Sequence, residues 1–315
     1  MTRRELLELG GSAAIAFALA GCGDGGKAGT GPFGALRRDP ERVIDLPEGF
    51  SYRVVSQTGW PLRGGLTVPG RPDGMGTFPG PGGTTVLVRN HELPTGGTTA
   101  VVVDDERRRA NAFRTSWGTS FNCGGCATPW GTWLTCEESL DPGHGYVYEV
   151  SWEDPEGELS RRPIEAMGRF SHEAAAVDPA TGAVYLTEDD KSSREAPRSF
   201  LYRYVPNDTD GRPGALHAGG RLEALAADDA GDVRWIDVDP ADAHDEALRG
   251  AAARFARLEG CTFAADVLWF DDTSGGKAQL GQIFRYDPAQ ERLELFLESG
   301  ARSLMDMPDN LTTTP

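Results

Sequence analysis

Residues 183–190 read AVYLTEDD, a short apolar run of β-branched and aromatic side chains that stops on carboxylates. The same phrase returns as TTVLVRNHE at 84–92, TWLTCEE at 132–138 and VLWFDDT at 267–273. Tyrosine-bearing apolar runs follow three of the four: GYVYEV at 145–150, FLYRYVP at 200–206 and GQIFRYDP at 281–288. Such runs, bounded by turn residues, read as strands. With 41 glycines and 21 prolines, and little helical periodicity, the chain is expected to be all-β. DPATG at 178–182 and DPAQ at 287–290 fit hairpin turns. The acid-ended strands recur every 45 to 50 residues, roughly the length of a β-propeller blade. The gap widens before the fourth, where a polar insertion covers 207–250. Residues 240–258, PADAHDEALRGAAARFARL, carry Ala and Leu at helical spacing, so a short inserted helix is expected there, delivering Arg257 and Glu259 at its end.

Inner strands of a propeller converge on an axis. Strands that end on acids would then crowd carboxylates into one small volume unless cations held them. Acids that merely cap solvated turns are the alternative, weakened by the fourfold repetition. The net charge of −17 argues against nucleic acid or anionic membrane surfaces as partners, and an anionic cleft suits hard cations.

Residues 1–22, MTRRELLELGGSAAIAFALAGC, place Arg3 and Arg4 before an apolar run too short to span a bilayer. They resemble a twin-arginine export signal, and Cys22 after LAG resembles a lipoprotein attachment cysteine. An ordinary secretion leader with a chance cysteine is the other reading. A flexible Gly-rich tether is expected over 23–40, followed by one domain from 41 to 315. Location in the periplasm or on the outer face of the membrane follows, with membrane contact only through a lipid on Cys22. A monomer is expected.

Side chains suited to chemistry come from five places: Asn122, Cys123, Glu137 and Glu138; His172 and Glu173 in GRFSHE; Glu188, Asp189 and Asp190; Arg257 and Glu259 in ARLEG; and Arg89, Asn90, His91 and Glu92 in RNHE. Cys123-x-x-Cys126 has no second CxxC or His pair to make a zinc knuckle and no βαβ context for a redox pair, whereas a disulfide is permitted outside the cytoplasm. A thiolate among carboxylates suits iron, with calcium taking the remaining oxygens, better than zinc. Cys136 and Cys261 read as buried core thiols. His144, His217 and His244 lie in polar loops and read as surface residues. His172 either orients a ligand or packs.

The phrases RPDGMGTF, RNHE, NCGG followed by TPWGTWLTCEE, GRFSHE, VDPATGAVYLTED, RLEG, GQIFRYDP and PDNLT together resemble the PhoX-type family of bacterial alkaline phosphatases, from Glu41 to the last residue. The resemblance implies a six-bladed β-propeller, an iron and calcium cluster on its axis, and hydrolysis of phosphate monoesters with release of inorganic phosphate. It implies that Cys123 bridges the irons, that Glu173 and Glu259 are metal ligands, and that Arg257 contacts the phosphate; Asn122, just before Cys123, is the other catalytic candidate. Glu137, Glu138, Glu188 and Asp189 stand in the acid-bearing phrases without the resemblance deciding which member of each pair faces the metals. His172, His91 and Glu92 would support the ligands from behind. Cys126 departs from the family phrase. The chain also stops at PDNLTTTP, where relatives run on, so the propeller is expected to be incomplete, with C-terminal blades missing. Two other readings keep the fold: a calcium-dependent hydrolase of lactones or phosphotriesters, which has no use for the Cys123 thiolate, and a non-catalytic lipoprotein scaffold that binds calcium for rigidity.

Overall fold

The computed structural model describes residues 33–194 and 196–313. The leader, Cys22 and the first part of the expected tether lie outside the described residues. Two units are distinguished, one ending at Val54 and one beginning at Val55. In the first, β1 (Leu36–Arg37) pairs with β2 (Leu46–Pro47), and the Asp39 carboxylate accepts from the Val43 amide and the Tyr52 hydroxyl at 2.7 Å each.

In the second unit each recurring phrase becomes the second strand of an antiparallel meander. The first sheet is β3 (Pro72–Pro79), β4 (Thr85–His91), β5 (Gly97–Val103) and β6 (Arg109–Trp117). The next is β7 (Asn122–Ala127), β8 (Trp133–Glu137) and β9 (Val147–Val150). The third is β10 (His172–Val177), β11 (Val184–Glu188), β12 (Leu201–Pro206), β13 (Gly220–Ala227) and β14 (Val233–Val238), and the fourth is β15 (Leu258–Ala264), β16 (Val267–Asp272), β17 (Gln282–Asp287) and β18 (Arg292–Glu298). These are the blades of a propeller-like, mostly β fold.

The core lies between blades. Because side chains alternate along a strand, β11 sends Val184 and Leu186 into the cluster shared with Leu134, Cys136 and Val147 of the second sheet, and Tyr185 into the cluster shared with Phe270 and Tyr286 of the fourth. Phe78, Val86 and Val88 of the first sheet meet Trp133 and Val150 of the second in the same way. Strands covered on both faces explain why the phrases are continuously apolar rather than alternating.

Each first strand carries one extra residue at its start. The pairing steps from Pro72 to Met75 against His91 and Arg89, and shifts likewise between Asn122 and Gly125, His172 and Ala175, and Leu258 and Cys261. Asp73-Gly74, Cys123-Gly124, Glu173-Ala174 and Glu259-Gly260 are therefore four β-bulges in one register, each leaving a side chain off the ladder. A second repeated contact pins them. The amides of Glu92, Glu138, Asp189 and Thr273, each one residue past the second strand, donate to the carbonyls of Arg71, Phe121, Ser171 and Arg257 at 2.9, 2.9, 3.1 and 2.9 Å. Arg71, Phe121 and Arg257 take positive φ of 44°, 45° and 80°, a conformation non-glycine residues adopt only where neighbours impose it. Residues 307–310 repeat the pattern once more: Met307 has φ 54°, Pro308 follows, and the Asp309 carbonyl accepts from Gly260 N at 3.0 Å.

Two expectations are corrected. The insertion at 207–250 supplies β13 and β14, whose Leu222, Ala224 and Leu225 are buried, so it is part of a blade rather than a polar loop. The helix α1 spans only Ala243–Arg249. Gly250 ends it, and the Ala-rich stretch beyond is extended, with the Ala253 amide bonded to the Leu225 carbonyl and Phe255 bridged to Ser199. Arg257 immediately precedes β15 and Glu259 arrives on its bulge, neither of them on a helix end.

The second bulge residue is small because neighbouring first strands touch. A Cβ on Gly124 would lie 2.6 Å from the Glu173 carbonyl oxygen and 2.9 Å from Ala174 Cβ. Gly124→Ala is expected to cost about 1–3 kcal/mol through overpacking, read as a fall in the urea midpoint with unchanged m-value; wild-type stability would contradict the close approach.

Candidate metal centre

The four bulges aim their first residues at one place. Ligand atoms of Cys123, Glu138 and Glu173 lie within 4.8 Å of one another, as do those of Glu173, Asp189 and Glu259, so Glu173 belongs to both groups. Glu173, Asp189 and Glu259 are almost fully buried. The Glu173 and Asp73 carboxylates lie close enough to the Cys123 sulfur to bear on it electrostatically. Asp309 adds its field to Asp73 and to Glu259. Glu138 and Asp189 enter from the residue just past β8 and β11, fixed there by the repeated amide contact.

Two cationic side chains make ion pairs with these acids among the described residues. Arg257 grips Asp189 through Nε and Nη2 at 2.9 and 2.6 Å and reaches Glu259 at 2.6 Å. Lys191 Nζ stands 2.7 Å from Glu138. They do not neutralise the group. Burial, then Glu259, pushes the Glu173 carboxyl well above its ordinary range; burial, then Asp189, takes Glu259 up to about 9; burial takes Glu138 up to about 7 even beside Lys191. Burial, with Glu173 and Asp73 nearby, pushes the Cys123 thiol far up. Carboxyls and a thiol in this state prefer their protons until a cation replaces them. A sulfur donor beside several oxygens fits iron at the Cys123 end, and the all-oxygen remainder fits calcium. A cavity of about 630 Å³ opens beside the cluster, lined by Glu138, Asp189, Lys191, Arg169, Arg198 and His244.

The family model described as "Alkaline phosphatase PhoX" matches residues 31–112 and 94–315. The chain belongs to the PhoX family of alkaline phosphatases. No curated protein matches the chain. Among solved structures it is similar to Pseudomonas fluorescens PhoX in complex with vanadate, a transition state analogue, at 19% identity and TM-score 0.66, over 85% of this chain and 79% of that one. A Bacteroides caccae protein of unknown function matches at 10% identity and TM-score 0.41, over 78% and 73%. The PhoX likeness accords with the bladed fold.

The structure divides the residues singled out from the sequence. It gathers Cys123, Glu138, Glu173, Asp189 and Glu259, with Arg257 beside them. Glu137 and Glu188 point elsewhere: Glu137 accepts from the amides of Ser120, Gly145 and Tyr146 and bonds His144 at 2.7 Å, and Glu188 accepts from Tyr202 and bonds His244 at 2.7 Å. In each acid pair the first member ties down loops and the second faces the centre, because successive residues of a strand point to opposite sides. His144 and His244 are accordingly half-buried partners of these glutamates, not surface residues. Asn122 is fully buried, with Oδ1 accepting from Thr119 and Nδ2 donating to Thr135, so its amide is spent inside the fold. His172 packs on Phe170 and bonds the Gly168 carbonyl at 3.2 Å; burial lowers it to about 3. His91 sits between the Gly70 carbonyl and Thr99, and burial lowers it to about 4. Glu92 pairs loosely with Arg71 at 3.6 Å. Cys126, Cys136 and Cys261 are free thiols. Sequence reasoning missed Asp73, Asp309 and Lys191, although the first two lie in the quoted phrases RPDGMGTF and PDNLT.

The raised carboxyls set a pH dependence. Burial and Asp189 raise the Glu259 carboxyl to about 9 in the folded chain against 4.5 in the unfolded one, so its contribution to stability is fully present below 4.5 and is lost as pH rises through 9. Thermal unfolding of the chelator-treated chain is expected to show Tm falling from pH 5 to pH 9, roughly opposite to an acid-labile protein, with added cations reversing the fall. A Tm that rises over that window would contradict the crowding of acids.

Proposed function

We propose that the chain is an exported, cation-dependent phosphomonoesterase whose iron and calcium sites are built from the bulge residues. The observation that carries this reading is the convergence of Cys123, Glu138, Glu173, Asp189 and Glu259 in a buried space where two cationic side chains leave the acids uncompensated. The residues present fit the cations that PhoX membership suggests: one sulfur for iron, many oxygens for calcium. Cys123, Glu138 and Glu173 would hold iron; Glu173, Asp189 and Glu259 would hold the harder cation, with Asp73 and Asp309 adding negative charge nearby. Bound there, such cations neutralise phosphate oxygens and help align an in-line displacement at phosphorus.

The chain's own side chains supply the rest. Arg257 is held in a strained, positive-φ conformation between Asp189 and Glu259, so its planar fork is already oriented at the rim of the cluster. Carboxylates shared with cations leave guanidinium hydrogens for the equatorial oxygens of a phosphate, a bidentate contact that strengthens as charge develops. Lys191, more exposed, stands where the cavity of about 630 Å³ meets the centre and would attract the anionic ester despite the net charge of −17. The alcohol half of the ester would lie in that cavity. Export by the twin-arginine route, with a lipid on Cys22, is supported by Arg3, Arg4 and the apolar run that follows.

The test is hydrolysis of p-nitrophenyl phosphate at alkaline pH by the full chain supplied with iron and calcium. Arg257→Lys is expected to lower kcat by about 10²–10³ with metal content unchanged, as loss of one oriented transition-state donor does. Cys123→Ser is expected to remove iron together with activity. Turnover in both variants equal to wild type, or a metal-loaded wild type without phosphatase activity, would overturn the reading.

A further inference from the structure

Asn90 occupies the position of β4 opposite the Asp73-Gly74 bulge, and its side chain is fully buried. Nδ2 donates to the Cys123 carbonyl and to the Gly124 carbonyl at 2.7 Å each. Oδ1 accepts from Trp133 Nε1 at 2.9 Å and from Thr135 Oγ1 at 2.8 Å. All four hydrogen-bonding positions of the amide are used. Its orientation is not ambiguous: an indole offers only a donor, and Thr135 already accepts from Asn122, so its hydrogen is free for Asn90.

The two carbonyls that Asn90 holds belong to the bulge of the next blade, the one from which the Cys123 sulfur projects. A bulged peptide has no regular ladder partner, so its rotation is set by whatever else bonds it. The same register position of β11 is Thr187, opposite the Glu173-Ala174 bulge, and its Oγ1 donates to the Glu259 carbonyl at 2.6 Å. Two blades thus use different side chains for one contact, each reaching across to the bulge of a neighbour that carries a candidate ligand.

We propose that Asn90 is the positioning residue of the Cys123 sulfur. It holds both peptide carbonyls of the bulge, and so fixes the direction in which Cys123 leaves the strand. The proposal rests on Cys123 as a metal ligand, but its first readout is independent of metal.

Two measurements on the full chain decide it. In the metal-free protein, alkylation followed by peptide mass spectrometry reports Cys123, Cys136 and Cys261 separately. In the iron-loaded protein, a chelator competition and the thiolate-to-iron charge-transfer band report the bound state. Asn90→Ala is expected to speed Cys123 alkylation about tenfold with Cys136 and Cys261 still protected, and to weaken iron binding about 10- to 100-fold with a shifted band. Asn90→Thr, which restores one hydroxyl donor as at Thr187, is expected to fall between alanine and wild type. If the alanine variant does not fold, Asn90→Asp keeps the shape and both acceptors but turns an oxygen toward the two carbonyls, and faster Cys123 alkylation is again expected. Wild-type alkylation of Cys123 in the folded variants, or equal loosening of all three cysteines, would overturn the proposal. Iron absent from the wild-type chain would instead sink the metal reading, with the alkylation contrast still deciding the role of Asn90.

Discussion

The extra residue at the start of each first strand is the constraint on which the rest depends. A regular antiparallel pair would bury Asp73, Cys123, Glu173 and Glu259 in the ladder or against the neighbouring blade. One inserted residue per blade instead turns each of them off the ladder toward the axis. The close approach of successive first strands, which leaves no room for a Cβ at Gly124, brings those side chains together. Acids gathered this way are costly to ionise, and burial together with their neighbours raises the carboxyls of Glu173 and Glu259. The fold therefore creates an electrostatic demand that Arg257 and Lys191 meet only in part.

The outer members of the centre come from a different device. Glu138 and Asp189 lie one residue beyond their strands, where a backbone hydrogen bond to Phe121 or Ser171 stops the chain from splaying outward. The preceding glutamates do structural work for the loops that frame the cavity. Glu137 gathers three amides and His144, and Glu188 gathers Tyr202 and His244. In Glu137-Glu138 and Glu188-Asp189 the first acid is thus an anchor and the second a candidate ligand.

Much of this was legible in the sequence, and the limits are physical. Apolar runs ending on acids identified the second strands of all four blades, because those strands are covered on both faces and stop where the centre begins. Which acid of each pair faces inward depends on register, and Glu137-Glu138 carries no composition signal to distinguish them. Asp73 precedes Gly74, so it reads as an ordinary turn, and nothing local announces that the turn is a bulge. The helix was overextended because Ala252 and Ala256 are small for burial between elements, not for helix propensity. His144 and His244 sit in loops whose polarity resembles a solvated surface, while their partners lie 7 and 56 residues away.

Membership of the PhoX family and a phosphatase reading follow from the chain's own phrases and from the fold they build, while the identity of the cations rests on donor chemistry. The most direct test is a crystal structure of the full chain loaded with iron and calcium, with anomalous differences collected on both sides of the iron edge. The account predicts an iron peak in contact with the Cys123 sulfur and a Glu173 oxygen, with a further cation among Glu173, Asp189 and Glu259. Iron located away from the four bulges, or a well-ordered centre in which Arg257 and Lys191 remain the sole counter-charges, would contradict it.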